Sequence, residues 1–330
     1  MEEANCSRLI RSIITGEWEY SFSFNAGTTV LFSHDGRLIW GTKKTGGVEE
    51  CVAVDSFYGT ETSPVALNSS FIPKSVLKYR RFEGDCFLQF APITNDRGCL
   101  LQCVPQAGLR LSLVQVDFQR AEFVPLDEEF DVHPLPQLSH IPRVMTSGRH
   151  LAVEITAIDV QLGRDETPRL FLFEVGHKIK PLGSFPLVYG NASSIHVEGR
   201  NLHYFPQDSS FHDLAEIDLD KESSKLIPTT GFPFAIDELK DLGSNSVWGD
   251  RMCFVVVGSR AAIFSLDSAV WLTIELSPDF NVDRLNRPLI SLDGRGILSV
   301  HVHKEGSKHR RRTHRFKIED AGVCEWTISR

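Results

Sequence analysis

A short glycine-arginine motif recurs at roughly 50-residue intervals and constrains the fold of this chain more than any other feature. In each copy an apolar stretch leads to a small or acidic residue, then to Gly and Arg in varying order, and then to a second apolar stretch. Such turns between apolar runs are typical of tight β-hairpins, because glycine readily adopts positive φ. We therefore predict six hairpins, with the arginine opening the second strand of each. The arginines are Arg37, Arg97, Arg149, Arg200, Arg251 and Arg295, and the predicted turn glycines are Gly36, Gly98, Gly148, Gly199, Gly249 and Gly294.

Each hairpin is followed by further apolar runs. A third run, closing on an acidic residue, lies at 51–55, 111–117, 170–174, 214–218, 262–267 and 316–319. A shorter fourth run follows at 121–126, 225–227, 270–276 and 323–328. Four antiparallel strands repeated in this way form the blade of a β-propeller, in which radial closure hides the sheet edges. We predict an all-β fold, a six-bladed β-propeller of four-stranded antiparallel blades, with two stacked β-sandwiches as the alternative.

The six predicted blades occupy most of the 330 residues, so we expect a single domain. We predict an N-terminal segment over 1–16 and a single propeller over 17–330. A strand with alternating apolar residues is expected at 17–24. It would either pair with the last blade and close the ring, or form an extra hairpin on the first. A helix is predicted only at 237–242. The blades are expected at about 25–67, 75–126, 143–187, 193–230, 246–278 and 287–330.

The layout resembles the kelch-like propellers, in which an apolar strand, a glycine turn, a strand ending in an acidic residue and a tryptophan make one blade. Trp271 after Asp267, and Trp326 after Glu319, match it. The double glycine of kelch strands is absent, since Gly46-Gly47 is predicted to lie in a loop. The chain is also similar to uncharacterised kelch-like proteins of plants, including the propellers appended to F-box proteins, although too few residues precede the first blade for an F-box. The resemblance implies an architecture and assigns no activity to any residue.

No catalytic motif is recognisable. The nucleophile elbow, the phosphate-binding loop and H-E-x-x-H are all missing. His301 and His303 alternate on a predicted strand and cannot share a metal ion, and Cys99 and Cys103 have no second ligand pair at zinc spacing. We predict no catalytic, metal-binding or cofactor-binding residue, and no cofactor.

Seven scattered cysteines fit reduced thiols better than a disulfide framework. No apolar run is long enough to span a membrane. The expected location is cytoplasmic or nuclear.

Two charged runs are candidate partner-binding elements. The basic run contains Lys308, Arg310, Arg311, Arg312 and Arg315, and the acidic run contains Asp127, Glu128 and Glu129. Both are predicted to be loops on one rim of the propeller, where function usually lies. The basic run could instead be a solvated loop, or its arginines could pair across the ring closure with Glu17 or Glu19.

The predicted function is a protein-interaction module, an adaptor or substrate-recognition scaffold that binds a protein partner through its rim loops. One alternative is a propeller hydrolase with its site at the mouth of the central channel. Another is binding of phosphate or nucleic acid through residues 308–315. The formal net charge of −8 opposes general attraction to polyanions, so such binding would have to be local.

Overall fold

The computed structural model describes residues 8–19, 31–32, 38–45, 48–55, 60–61, 65–66, 88–94, 97–104, 108–117, 122–133, 142–159, 161, 164–206, 211–235, 244–249, 251–257, 260–275, 289–292, 297–303, 310–320 and 328–329. All regular secondary structure within these ranges is β-strand. The helix predicted at 237–242 lies outside them.

The described strands form six larger sheets, numbered here in chain order. The first strand, β1 (Arg8–Glu19), belongs to sheet VI. Sheet I contains β2 (Leu31–Phe32), β3 (Leu38–Thr45), β4 (Val48–Asp55) and β5 (Thr60–Glu61), with β6 (Val65–Ala66) also paired to β4. Sheet II contains β7 (Leu88–Pro92), β8 (Arg97–Val104), β9 (Gly108–Asp117) and β10 (Glu122–His133).

Sheet III contains β11 (Arg143–Ser147), β12 (His150–Ile155), β15 (Arg169–Val175) and β16 (Ile179–Pro186). Between β12 and β15, the strands β13 (Ile158–Asp159) and β14 (Arg164–Asp165) form a separate hairpin. Sheet IV contains β17 (Ala192–Glu198), β18 (Asn201–Pro206), β19 (Asp213–Asp218) and β20 (Ser223–Pro228). Sheet V contains β21 (Ser244–Gly249), β22 (Met252–Val257), β23 (Arg260–Ser265) and β24 (Val270–Glu275). Sheet VI contains β25 (Leu289–Leu292), β26 (Ile297–His303), β27 (Arg310–Asp320), β1 and β28 (Ile328–Ser329).

The sheets are arranged around their first strands. In turn, β2 lies beside β7, β7 beside β11, β11 beside β17, β17 beside β21, and β21 beside β25. Within each of these sheets, successive strands from the first to the fourth pair antiparallel. Antiparallel sheets that radiate from their first strands have the architecture of a β-propeller.

The core lies between neighbouring sheets. In β12, Leu151 and Val153 belong to the apolar core shared with sheet II, whereas Ala152 belongs to the core shared with sheet IV. A third core joins sheets IV and V around Phe205 and Phe264. Because the inner strands are covered on both faces, they are continuous apolar runs without alternation.

All six predicted third-strand runs lie in the third strands of their sheets, β4, β9, β15, β19, β23 and β27, with the last two residues of 262–267 extending past β23. The fourth runs lie in β10, β20 and β24, as predicted for sheets II, IV and V.

Sheet VI differs from the prediction, which gave its fourth place to residues 323–328. That place is taken by β1, which pairs antiparallel with β27, while β28 adds two residues parallel to β1. The predicted boundary at residue 17 was also wrong, since β1 begins at Arg8. The alternation at 17–24 revealed only the end of this strand, because its earlier part carries paired isoleucines at Ile13 and Ile14 that break the two-residue period. Residues 20–24 lie outside the described ranges.

Candidate functional site

Four of the six predicted turn glycines are among the described residues, and they fall into three groups. Gly148 and Gly199 lie in two-residue hairpin turns with φ of 55° and 59°. Gly249 is the last residue of β21, just before a turn. Gly98 was wrongly predicted, because it lies within β8 opposite Pro92; the preceding turn closes on the Arg97 carbonyl, which accepts from the Ile93 and Thr94 amides at 2.9 Å each. Gly36 and Gly294 lie outside the described residues.

Three of the recurring arginines bind acidic residues near the end of the third strand. Arg149, Arg200 and Arg251 were predicted to open the second strand, but each occupies the turn, one residue before that strand begins. Arg97 does open β8. The guanidinium groups of Arg149, Arg200 and Arg251 pair with acidic residues at or just beyond the end of the third strand, namely Glu174, Asp220 and Asp267. Their carbonyl oxygens accept from the Val175, Leu219 and Leu266 amides at 2.8, 2.8 and 2.9 Å. In sheets III, IV and V the recurring arginine therefore fastens the first hairpin to the third strand or to the residues just beyond it.

The acidic run is a strand and not the predicted loop. Asp127, Glu128 and Glu129 lie in β10, the outer strand of sheet II. Arg110 of β9 donates to Glu129 at 3.1 Å and to Asp131 at 3.0 Å. The free edge of an outer strand could pair with other chains, and charged side chains hinder that pairing. An acidic segment is therefore compatible with the outer position of β10 in the sheet.

The basic run is also a strand. Arg310, Arg311, Arg312 and Arg315 lie in β27, between β26 and β1, and Lys308 lies outside the described residues. In the register of β27 with β1, Arg312 is opposite Glu17 and Arg310 is opposite Glu19. The prediction of a loop was wrong, because a charged run can be accommodated in a strand when the neighbouring strand supplies opposite charges. The acidic and basic runs belong to sheets II and VI and are not neighbours in the sheet order.

The longest connection between a second and a third strand is in sheet III. It spans residues 156–168 and carries the β13–β14 hairpin, whereas the corresponding connections of the other sheets have two to six residues. Gln161, Asp165 and Glu166 are exposed, and the Glu166 amide donates to the Ala157 carbonyl at 2.8 Å. In four-stranded antiparallel sheets these connections emerge at the same end as those from the fourth strand to the next sheet. This hairpin connection therefore extends one end of the arrangement of sheets.

A tryptophan joins sheets IV and V. Trp271 of β24 is buried, and its Nε1–H donates to the Phe211 carbonyl at 3.2 Å and to Thr229 Oγ1 at 3.0 Å. Its backbone amide donates to the Thr230 carbonyl at 2.9 Å. Gly231 has φ of 82°, and a Cβ there would lie 3.1 Å from the Trp271 carbonyl oxygen. In the sequence, Trp271 stood out only through the kelch-like resemblance. Its hydrogen bonds show that it binds the segment that follows β20 and thereby links sheets IV and V.

A polar row crosses the face of sheet IV that is turned toward sheet V. His203 Nε2 lies 3.0 Å from Glu216 Oε2, and Lys225 Nζ lies 2.8 Å from Glu216 Oε1. Burial lowers the pKa of His203, although Glu216 acts in the opposite direction. Burial alone would raise the pKa of Glu216, but hydrogen bonds from Lys225 and His203 hold it below its usual value. His196, across from His203, stacks on Trp248 of sheet V with ring centroids 5.2 Å apart. No pattern in the sequence indicates this row, because only the strand register brings its members together.

No group of three or more His, Cys, Asp or Glu side chains suited to a metal ion occurs among the described residues. Cys99 and Cys253 are free and buried; burial raises the pKa of the Cys99 thiol to about 12 and also raises that of Cys253. Neither is an activated thiolate. None of the described residues belongs to a helix capable of crossing a bilayer.

Comparison with known proteins gives structural similarity only. No family model matches the sequence, and no curated protein matches it. Among solved structures, a luciferin-regenerating enzyme is 13% identical with a TM-score of 0.48, covering 98% of this chain and 100% of its own. The Dos1 propeller is 11% identical with a TM-score of 0.42, covering 93% and 72%. A nidogen/laminin complex is 10% identical with a TM-score of 0.41, covering 76% and 81%. At TM-scores below 0.5 these similarities do not bear on function, and the architecture rests on the sheet topology described above.

Proposed function

We propose that the chain is a six-bladed β-propeller that acts as a protein-interaction scaffold, with sheets I to VI as its blades. The partner-binding surface is the end of the ring that carries the connections from second to third strands. The kelch-like resemblance and an intracellular location remain predictions that accompany this proposal. The buried, free thiols of Cys99 and Cys253 are compatible with a reducing compartment.

The observation that supports this proposal is the hairpin connection at 156–168. The other second-to-third connections of the repeat are kept to six residues or fewer, whereas this one has thirteen and a hairpin of its own. Most connections in compact domains are much shorter than this one, and binding residues lie disproportionately on loops that a rigid scaffold positions. Its exposed residues include Asp165, Glu166 and Thr167, which offer hydrogen-bond acceptors and charge to a partner without contributing to the cores between sheets.

A rigid frame lets such a connection act as a recognition element. Sheets III and IV are joined by the Glu154 carboxylate, which accepts from the Ala192 amide at 3.0 Å, and by Tyr189, whose hydroxyl donates to the Ser224 carbonyl at 3.3 Å. These contacts fix the sheet that carries the hairpin relative to its neighbour. A preorganised surface loses less conformational entropy when it binds.

The hydrolase alternative receives less support from the innermost strands. In their described residues the titratable side chains are Arg143, His196 and Glu198. Glu198 is bonded to Arg251, and His196 stacks on Trp248. Both are engaged in contacts between sheets IV and V, so their present role is structural.

The test is to replace residues 158–165 with a short Gly-Ser turn and to compare the proteins captured from a cell extract by the variant and by the intact chain. We expect the loss of specific partners with a melting temperature within about 2 °C of the intact chain, because the hairpin contributes no residue to a described core.

The matched control changes His177 and Lys178 to Ser. These exposed residues lie in the turn between β15 and β16, at the opposite end of the same sheet. The control should capture the same partners as the intact chain. Equal capture by all three proteins would contradict the proposal that the hairpin end is the binding surface.

A further inference from the structure

The polar row of sheet IV lies directly beside an apolar core. It runs across all four strands of the sheet, from His196 of β17 through His203 and Glu216 to Lys225 of β20. Side chains two residues apart on a strand share a face. The residues two positions away from the row on the same face belong to the core between sheets IV and V, and they are Phe205, Leu214 and Ile227. The interface between these two sheets therefore has an apolar part and a titratable part.

The two histidines of the row are buried in this interface. His203 is 4% exposed and His196 is 8% exposed. Their rings stack with centroids 6.1 Å apart, and the other neighbour of His196 is the Trp248 ring of sheet V. His203 Nε2 is bonded to Glu216, but its Nδ1 has no hydrogen-bond partner among the described residues. A stack of three rings thus connects the two sheets, and His203 is the member with an unpaired nitrogen.

A proton on His203 would work against this arrangement. Because Glu216 is a carboxylate, Nε2 of the neutral ring is the donor and Nδ1 is the unprotonated nitrogen. The imidazolium would carry a second N–H at Nδ1, buried and without an acceptor. A buried charged donor without a partner costs more than a buried neutral acceptor without one. Opening the interface would give this N–H water as an acceptor, so the charged ring favours the open form.

The charged groups that face His203 are already engaged. Glu216 Oε1 lies 2.8 Å from Lys225 Nζ, so the carboxylate next to His203 is shared with a second cation. The remaining charged groups of the facing elements are also in contact with others: Glu198 and Asp267 with Arg251, Asp218 with Lys221, and Arg260 with the Phe234 ring. Arg251 opposes the protonation of His203, while Glu198 and Glu216 favour it. Burial outweighs both carboxylates and lowers the pKa of His203.

The other described cores contain no comparable group. Among the described residues, the cores that join sheet II to III and sheet III to IV contain no histidine. Within the interface of sheets IV and V, the rings of Phe205, Phe264 and Trp271 lie with their centroids 5.1 Å apart and do not titrate. Protonation of His203 therefore acts on one part of one interface.

We propose that the interface between sheets IV and V is a pH-sensitive switch, in which protonation of His203 separates His196 from Trp248 and opens the interface at the polar row. The aromatic core serves as the hinge, and the other sheets stay packed. Glu216 is partly exposed and Lys225 is largely exposed, so the row reaches solvent at the outer strand and protons have access to it. Buried histidines at an interface are a common basis of such switches.

The direction of the switch follows from the linkage between protonation and opening. In the open form His203 takes up a proton with its ordinary pKa near 6.5, whereas in the closed form it does so only at a lower pH. Opening therefore becomes more favourable as the pH falls below about 6.5. Glu216 stays ionised down to about pH 4.3, so it takes no part between pH 7 and pH 5.

Two buried thiols provide the readout. Cys253 is directly opposite Trp248 in the pairing of β22 with β21, so it lies at the proposed opening. Cys99 lies in the core between sheets II and III and serves as the internal control. Both thiols are free and fully buried. The full chain is treated with a dipyridyl disulfide at pH 7 and at pH 5, and labelling of each cysteine is followed by peptide mass spectrometry. The ratio of the two rates corrects for the pH dependence of the reagent.

We expect the ratio of Cys253 labelling to Cys99 labelling to rise about tenfold between pH 7 and pH 5, since each pH unit below the ordinary pKa favours the protonated open form by up to about tenfold. His203→Gln retains a donor to Glu216 but does not titrate, so its ratio should change by less than about twofold. His150→Gln is the matched control, because it removes a histidine of sheet III whose pKa is also lowered by burial. It should keep the full rise.

A second measurement does not depend on the histidine variants. Acrylamide quenching of Trp248, taken as the difference between the intact chain and Trp248→Phe, should increase over the same pH range. Four results would overturn the inference: a constant labelling ratio in the intact chain, the same rise in His203→Gln, equal acceleration at Cys99 and Cys253, or quenching of Trp248 that does not change with pH. Equal acceleration at both thiols would show that the whole chain unfolds and that the interface does not open by itself.

Discussion

At the scale of single residues, a turn glycine is constrained by one backbone angle. At Gly148 and Gly199 the space that a Cβ would enter is open, so the cost of a side chain there comes from the positive φ alone. We expect Gly148→Ala and Gly199→Ala each to lower the free energy of unfolding by about 1–2 kcal/mol, as measured by urea titration.

Gly176 supplies the control, because it is exposed, has open space around it and lacks a positive φ. Gly176→Ala should change the free energy of unfolding by less than about 0.5 kcal/mol. A similar loss of unfolding free energy at all three positions would show that the positive φ of Gly148 and Gly199 is not the cause of the loss.

The buried pair of His203 and Glu216 should make stability depend on pH. Burial holds the pKa of His203 below its usual value, so the folded protein binds this proton less readily than the unfolded chain does. This contribution to stability is complete above about pH 6.5 and is lost as the pH falls through the lower pKa of the folded state. Below about pH 4.3 the depressed pKa of Glu216 adds a second loss.

We expect His203→Gln to flatten the fall in unfolding free energy between pH 7 and pH 5. His150 has a pKa lowered mainly by burial and contributes in the same direction, so part of the slope should remain. An identical slope in His203→Gln and in the intact chain would refute the assignment. The contact between His203 and Glu216 was not predictable from the sequence. The two residues are thirteen apart in the chain, and only the register of β18 with β19 places them opposite one another.

At the scale of elements, two buried tryptophans of sheet V allow the contribution of packing to stability to be distinguished from that of hydrogen bonding. Trp271 Nε1 has two acceptors, whereas Trp248 Nε1 has no hydrogen-bond partner among the described residues. Replacing either with Phe removes similar volume, but only Trp271→Phe removes hydrogen bonds to sheet IV. We expect Trp271→Phe to cost about 1–2 kcal/mol more than Trp248→Phe in thermal unfolding. The opposite order would show that the contact between the sheets rests on packing alone.

The strands were predictable to the extent that their side chains are apolar on both faces. The third strands and most of the hairpins follow from the sequence because the inner strands are buried between sheets. The acidic and basic runs were mistaken for loops because charge normally marks solvent. In β10, an outer strand, charge is compatible with a sheet because Arg110 neutralises Glu129. In β27, which lies between β26 and β1, Glu19 and Glu17 are opposite Arg310 and Arg312.

At the scale of the whole molecule, the last sheet is completed by the beginning of the chain. Deleting residues 1–19 removes β1 and leaves the edge of β27 unpaired over ten register positions. We expect this variant to aggregate or to melt without a sharp transition, because exposed strand edges promote association. Adding a synthetic peptide of residues 8–19 should restore a sharp transition.

Deletion of residues 1–7 leaves β1 whole and is the control; it should melt as the intact chain does. If the chain lacking 1–19 melts cooperatively without the peptide, closure by β1 is not needed for the fold. The six hairpins could be found in the sequence because they are local. Pairing of the N-terminal strand with the last sheet was predicted only as one of two alternatives, because the sequence does not distinguish it from an extra hairpin on the first sheet and only tertiary pairing chooses between them.

The position of β1 also sets an order of events on the ribosome. β1 is synthesised before the other sheets, and β27, its partner, follows about 290 residues later, which at 5–20 residues per second is a delay of roughly 15–60 s. Throughout that interval a twelve-residue strand has no pairing partner of its own, while five sheets can already assemble beside it. Until β27 has been synthesised, the edge of β1 is therefore open to pairing with other chains.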